Sequence, residues 1–220
     1  VDCAEGETSE PGGVCEACDP GRYAGAMGSP RCTLASEGHY VKDSDRTQQF
    51  ECPVGRYAPG QGTVNECLAC AVGTFAATEG TVTCDAAKKG YHVPAPGAVK
   101  ELKCEAGKYT NAEGQSTCLP AEPGEYVPTP GWSKEPEKCK PGETSKPEAS
   151  SCDPCPSGSF AANSASPSCT LAKAGHYVKD GDRTKEIPCD PGFVSPGAGA
   201  SECFACPAGT FSEAAGATEV

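Results

Sequence analysis

The chain has 220 residues and a formal charge of −12, with 17 Cys, 27 Gly and 21 Pro against one Met, one Trp and 6% aromatic residues. Such a composition excludes one large hydrophobic core, and no run of about 18 apolar residues is present to cross a membrane, so covalent bridges must take the place of buried side chains. The acidic balance argues against nucleic acid or an anionic membrane as a partner, since neither offers a counter-charge.

So many cysteines persist as disulfides only in an oxidising compartment, which predicts a secreted, lumenal or cell-surface location. No signal peptide is present. Val1 is not an initiator Met and the repeat described below is cut in mid-phase at both ends, so a mature or partial portion of something longer is expected.

Glycines set the reading frame. Gly6, Gly21, Gly38, Gly55, Gly73, Gly90, Gly107, Gly124, Gly142, Gly158, Gly175, Gly192 and Gly209 follow one another at 15 to 18 residues, mostly 17, which makes thirteen short modules. In most of them an aromatic follows one or two positions on: Tyr23, Tyr40, Tyr57, Phe75, Tyr91, Tyr109, Tyr126, Phe160, Tyr177, Phe193 and Phe211. Glycine there supplies a turn with positive φ, after which the ring lies across the neighbouring disulfide and covers it. A carbohydrate or peptide cradle built from the rings would need convergent polar groups, and the sequence shows none.

Two kinds of module alternate. In nine, the third residue before Gly is Cys. Eight of these have another Cys 12 to 15 positions later: Cys3/Cys15, Cys18/Cys32, Cys52/Cys67, Cys70/Cys84, Cys104/Cys118, Cys139/Cys152, Cys155/Cys169 and Cys189/Cys203. In the other four, the opening residue is Ala35, Ala87, Ala121 or Ala172 and the module has no cysteine of its own. The interval within each pair is nearly constant while the spacers vary widely, which predicts that each Cys bonds to the next, although sequence alone leaves connectivity open. Cys206 is left over. Its counterpart should fall where Cys84 maps, at Val220, so Cys206 is either free or bonded outside this segment or in another subunit.

A longer period overlies the short one. CTLASEGHYVKDSDRTQQFEC, from Cys32 to Cys52, returns as CTLAKAGHYVKDGDRTKEIPC from Cys169 to Cys189, with 14 of 21 positions unchanged at an offset of 137 residues. The domain reading is therefore a first super-repeat of eight modules over 1–136 and a partial second over 137–220. The first holds modules near 3–17, 18–34, 35–51, 52–69, 70–86, 87–103, 104–120 and 121–138, and the second holds modules near 139–154, 155–171, 172–188, 189–205 and 206–220. Runs such as GRYA, GHYVKD and GTFAA, bounded by Gly, Pro, Asp and Ser, predict strands of two to four residues in irregular hairpins. No sustained 3.6 period with caps occurs, so almost no helix is expected. The fold class is small disulfide-rich: an elongated tandem array of short β-hairpin/loop modules.

Chemistry is sparse. The four C-x-x-C pairs, Cys15/Cys18, Cys67/Cys70, Cys152/Cys155 and Cys203/Cys206, lack the second knuckle of a zinc site and the βαβ scaffold of a redox dithiol, so two bonded loops meeting end to end is the favoured reading. His39, His92 and His176 sit beside Tyr40, Tyr91 and Tyr177 and read as a structural choice after Gly. Asp43, Asp45, Asp180 and Asp182, in KDSDRT and KDGDRT, have the alternate-carboxylate spacing a hard cation accepts but lack the remaining ligands of a calcium loop, which favours an Asx-type turn or solvated charge. No metal, cofactor or catalytic residue is assigned. N-x-Ser/Thr is absent, while O-linked sugar on Ser and Thr near Pro and Gly stays open.

CPAGTFSEAAGAT at Cys206 to Thr218, CAVGTFAATEGTVTC at Cys70 to Cys84 and AEPGEYVPTPG at Ala121 to Gly131 resemble the ephrin-receptor-like cysteine-rich repeat, a relative of tumour-necrosis-factor-receptor modules. The resemblance covers nearly the whole chain and implies an extended disulfide ladder. It departs at Thr144, where an aromatic is expected, and at Cys206, which lacks its partner. The resemblance is to modules used both in receptor ectodomains and in large surface proteins. Two functions therefore compete: a structural rod, filament, appendage or coat subunit that associates with itself or with companion chains, and a receptor or adhesion stalk that binds a protein ligand. Near-copies at a fixed period and an expected scarcity of exposed large apolar residues favour the structural reading.

Overall fold

A computed structural model describes residues 2–219 of the chain. Among them there is no helix, and the protein is a cysteine-rich tandem array of two-stranded hairpins held by eight disulfides. Two compact units are present, Val1–Lys103 with Ala112–Cys118, and Cys104–Asn111 with Leu119–Val220.

All but one of the hairpins among the described residues are as short as a hairpin can be. The two residues after the turn glycine pair antiparallel with the two residues after the closing cysteine, as in Arg22↔Leu34 and Tyr23↔Thr33, or Ser159↔Leu171 and Phe160↔Thr170. Glycine is required at the turn because φ there is positive, 78° at Gly21 and 75° at Gly158, where a Cβ would be strained. The next module then starts at once, and its opening residue donates its N–H back to the turn glycine: Ala35 to the carbonyl of Gly21 at 2.9 Å, Cys52 to that of Gly38 at 2.8 Å.

Successive modules are joined by main chain. Gly38 donates to Ala58 O at 2.9 Å and Gly62 to Ala35 O at 2.9 Å, and the same two bonds recur in the second unit as Gly142 to Ala161 O at 2.8 Å and Gly199 to Ala172 O at 2.7 Å. Backbone groups that two-residue strands leave unsatisfied are thus paired one module along.

The interior is a column of small residues. At the opening position Cys3, Cys18, Cys52, Cys70, Cys104, Cys139, Cys155 and Cys189 alternate with Ala35, Ala87, Ala121 and Ala172, all nearly inaccessible. The third residue after Gly is their companion. It is Val41, Val93, Val127 or Val178 in the four plain modules, each at most 1% exposed, and Ala, Ser or Thr in all nine that open with Cys. Valine's two extra methyls appear only where sulfur is missing, so the apolar volume filled per module stays level.

Strand lengths depart from the expected two to four residues at one place. Asp45–Glu51 is seven residues long and pairs with His39–Lys42, which also takes Thr63–Val64 as a parallel third strand. No proline or glycine interrupts Arg46 to Glu51, and Phe50 stacks on Tyr40 with ring centroids 5.7 Å apart. In the near-copy, Gly181 and Pro188 stand where Ser44 and Glu51 do, and of the stretch matching the long strand, 182–188, Ile187–Pro188 alone is strand.

Candidate functional site

The sulfur ladder comes first, since it is what most of the singled-out residues build. Cys3–Cys15, Cys18–Cys32, Cys52–Cys67 and Cys70–Cys84 are bonded in the first unit, and Cys139–Cys152, Cys155–Cys169 and Cys189–Cys203 in the second. Their Cα atoms lie 5.5 to 5.8 Å apart, inside the range an unstrained bridge requires. Cys104 and Cys118 are disulfide-bonded too. The two members of Cys15/Cys18, Cys67/Cys70 and Cys152/Cys155 thus serve different bridges, whereas in the fourth pair Cys203 is bonded and Cys206 is a free thiol, half-buried. Position 220, where the sequence places its missing partner, lies outside the described residues.

Aromatic cover is visible at Tyr40, which packs against Cys52, Ala58 and Cys67 of the following module. A ring over a disulfide removes apolar sulfur from water where no larger core exists to do so.

Plain modules carry a substitute for the bridge that sequence reasoning missed. In the module opened by Ala35, Gln49 Oε1 accepts the N–H of Ser36 at 2.8 Å. With Ala87, Glu101 Oε2 accepts from Lys88 N–H at 2.7 Å, and with Ala172, Glu186 Oε2 accepts from Lys173 N–H at 2.9 Å. All three span 13 residues, within the 12 to 15 of the disulfides. Lys173 Nζ adds an ion pair to Glu186 at 3.1 Å. The Lys173 amide, with its ammonium behind it, holds the Glu186 carboxyl below the ordinary carboxylate value. In the fourth plain module, Glu135 accepts from Asn111 Nδ2 instead.

The acidic turns are internally satisfied. Asp45 Oδ1 accepts from the Thr47 hydroxyl at 2.6 Å and its N–H at 3.1 Å, and Asp182 does the same with Thr184 at 2.5 and 3.3 Å. These bonds hold both carboxyls below their usual range. Asp43 receives Arg46 at 3.3 Å and Asn65 Nδ2 at 3.0 Å. Asp180 receives Arg183 at 3.4 Å and Ser157 Oγ at 2.8 Å. The arrangement is an Asx turn that aims an arginine inward: Arg46 Nη1 donates to Cys18 O and Arg183 Nη1 to Cys155 O, while each Nε is buried without a partner.

The histidines play local parts. His39 Nδ1 lies 3.0 Å from Glu37 O and His176 Nδ1 3.4 Å from Ala174 O, the same turn in both copies. His92 Nδ1 sits 3.2 Å from Leu102 O and 3.1 Å from Cys118 Sγ. That sulfur is in a disulfide and offers no thiolate to a metal.

Shallow grooves open between neighbouring hairpins. One of about 240 Å³ is walled by Tyr177, Asp190, Phe193, Glu202 and Cys203, and one of about 200 Å³ by Tyr126, Lys138, Lys140, Glu143, Ser151 and Cys152. Both occupy the same place in the module: the aromatic of one module, then the residues flanking the turn and the closing cysteine of the next. Rings and polar groups therefore do converge, which the sequence did not reveal. The expected scarcity of exposed large apolar side chains is also corrected. Leu68, Leu119, Leu171 and Phe204 are 55%, 46%, 60% and 59% exposed, because the second strand of each hairpin has no layer outside it.

Neither a protein-family model nor a curated protein matches this chain. No helix among the described residues is long and apolar enough to cross a membrane.

Proposed function

We propose that this chain is a structural extracellular protein, a segment of a stiff disulfide-laddered rod belonging to a surface filament, appendage or coat. The observation that supports it is main-chain seating. Within each unit, modules meet through recurring backbone hydrogen bonds and glycine contacts, as at Gly38 to Ala58 O and Gly62 to Ala35 O, to which side chains such as Tyr40 and Arg46 add. A surface selected for one ligand would concentrate its distinctive side chains in one module, whereas here the same contacts recur at each step. The bridges are compatible with an oxidising compartment, and the likeness of CPAGTFSEAAGAT to ephrin-receptor-like and tumour-necrosis-factor-receptor-like repeats supports the cell exterior as its place. Copies of the same chain or companion structural chains are its partners, and exposed Ser and Thr are open to O-linked glycans.

A second reading, a ligand-binding or adhesion stalk, is favoured by the exposed apolar row that includes Leu171 and Phe204. Electron microscopy of the native material separates the two. Filaments whose axial repeat matches a multiple of the module support the rod, and single particles that capture a soluble protein ligand support the stalk.

A further inference from the structure

Charge is unevenly spread along the chain. Residues 1–20 carry six carboxylates and residues 189–220 carry four, with no Lys or Arg in either stretch, so these two segments hold −10 of the −12. The remaining residues are close to neutral and contain all the lysines.

The groove in the acidic stretch has a defined chemistry. Asp190 and Glu202 stand with Tyr177 and Phe193 around about 240 Å³, no basic side chain lines it, and neither carboxylate is in an ion pair among the described residues. Two anionic oxygen pairs and two π-systems attract the same ligand, an ammonium or guanidinium group, and repel an anion. The equivalent groove three modules earlier carries two ammonium groups against one carboxylate, that of Glu143. There Lys138 and Lys140, both exposed and outside any ion pair among the described residues, flank Tyr126. The Tyr126 hydroxyl is tied to Glu137.

We propose that the Tyr177–Asp190–Phe193–Glu202 groove receives Lys138 or Lys140 of a second copy of this chain. The inference rests on the reading of the protein as a self-associating structural element and names the surface through which it associates. Donor and acceptor are different patches of one chain. Each copy offers one of each, three modules apart, so copies set parallel and staggered by three modules repeat the contact from chain to chain. Two acidic stretches brought together would repel, whereas an acidic groove against a lysine-bearing one is complementary.

The test is a charge swap on the 220-residue chain, read by sedimentation velocity at about 50 mM salt, where a surface pair is little screened. D190K/E202K and K138E/K140E are each expected to weaken association roughly tenfold or more, and the four-fold variant to recover it, with circular dichroism and disulfide mapping unchanged throughout. Raising salt to about 0.5 M is expected to weaken the wild type as the single swaps do. Unchanged association in either swap, or no recovery in the combination, overturns the proposal. Wild-type chains that stay monomeric overturn it as well. If those monomers capture a soluble ligand the structural reading fails too, whereas monomers that appear as stiff rods in micrographs leave that reading standing.

Discussion

Gly21 lies against the backbone carbonyl of Gly62, two modules further along, with no room for a side chain between them. The relationship recurs at Gly38 with Gly80 and Gly55 with Gly97 in the first unit, and at Gly158 with Gly199 and Gly175 with Gly216 in the second. A module is therefore positioned by its second neighbour as well as its first. Gly21→Ala is expected to cost roughly 3 kcal/mol or more, because it adds overlap with main chain to the strain of an alanine at positive φ. Gly192→Ala, at φ 86° with nothing within 4 Å, should cost about 1–2 kcal/mol from backbone strain alone. Denaturant unfolding of the two variants without reductant checks this, and equal losses would mean that the carbonyl contact contributes nothing.

The exchange of sulfur for valine leads to a pair of core substitutions. Val178 is fully buried in a module that opens with Ala172, so Val178→Ala leaves a cavity and is expected to cost about 2 kcal/mol. Ala161, in a module that opens with Cys155, has no such space, and Ala161→Val is expected to destabilise by about 1–3 kcal/mol through overpacking. Thermal melts followed by near-ultraviolet circular dichroism report both, and a neutral Ala161→Val would show the column to be looser than the burial implies.

Much of this architecture is legible in the sequence, for a physical reason. A turn that needs positive φ forces glycine, and a module without a core forces cysteine, so both leave marks at fixed phase, and the disulfide-rich hairpin array follows from them. The second glycine that most modules carry is harder to see. It falls six or seven residues after the first, has no positive-φ counterpart in the modules of Gly38 and Gly175, and is replaced by Glu148 and Ala165 at φ 59° and 56° in two others. The valine rule was in plain view at Val41, Val93, Val127 and Val178, but it is a correlation between two positions six residues apart, and reading one column at a time conceals it. The Gln49, Glu101 and Glu186 clasps needed coordinates, because nothing separates a clasping carboxylate from a solvated one until its acceptor atom is placed.

Ala165 and Glu148 are points where the chain departs from its own rule. Both occupy the left-handed region that glycine fills in neighbouring modules. Ala165→Gly removes a strain of about 1–2 kcal/mol and returns part of it as backbone entropy of the unfolded chain, so a net gain of about 0.5–1 kcal/mol is expected. The matching change at Gly199, Gly199→Ala, should be destabilising. A melting temperature that does not rise for Ala165→Gly would mean that its methyl group contributes packing that offsets the strain.

Acid should find the plain modules first. The carboxyls of Asp45, Asp182 and Glu186 are held below their ordinary values by hydrogen bonds from Thr47, Thr184 and Lys173. For each the folded state binds fewer protons than the unfolded state across the interval between the two pKa values. The stability they contribute is therefore complete above the ordinary carboxylate range and is lost as pH falls through it and below. Disulfides do not titrate. Amide exchange at about pH 3 is expected to rise in the module opened by Ala172 ahead of the module opened by Cys155, and Glu186→Gln, which keeps the acceptor oxygen and removes the charge, should flatten that difference. Uniform loss of protection across bridged and plain modules would contradict the clasp as the weaker substitute for sulfur.

Reduction gives the most direct measure of what the ladder contributes. Under denaturing, non-reducing conditions one alkylated thiol per chain is expected, at Cys206, and after reduction all 17. Each closed loop of about 15 residues stabilises by roughly 3 kcal/mol in the chain-entropy model, which exceeds what a module with one small buried residue on either side of its turn supplies from burial. Removing one bridge, as in Cys155→Ala with Cys169→Ala, is thus expected to unfold its own module and loosen those it seats through Ala161 and Gly158. Converting the same module to the plain pattern, by adding Ala161→Val to that pair, should recover part of the loss, because valine then fills the volume the sulfur atoms vacate. Protection of the Ala161 and Ala172 amides against exchange is the readout. No recovery with valine would show that the plain modules are held by their clasps and not by their cores.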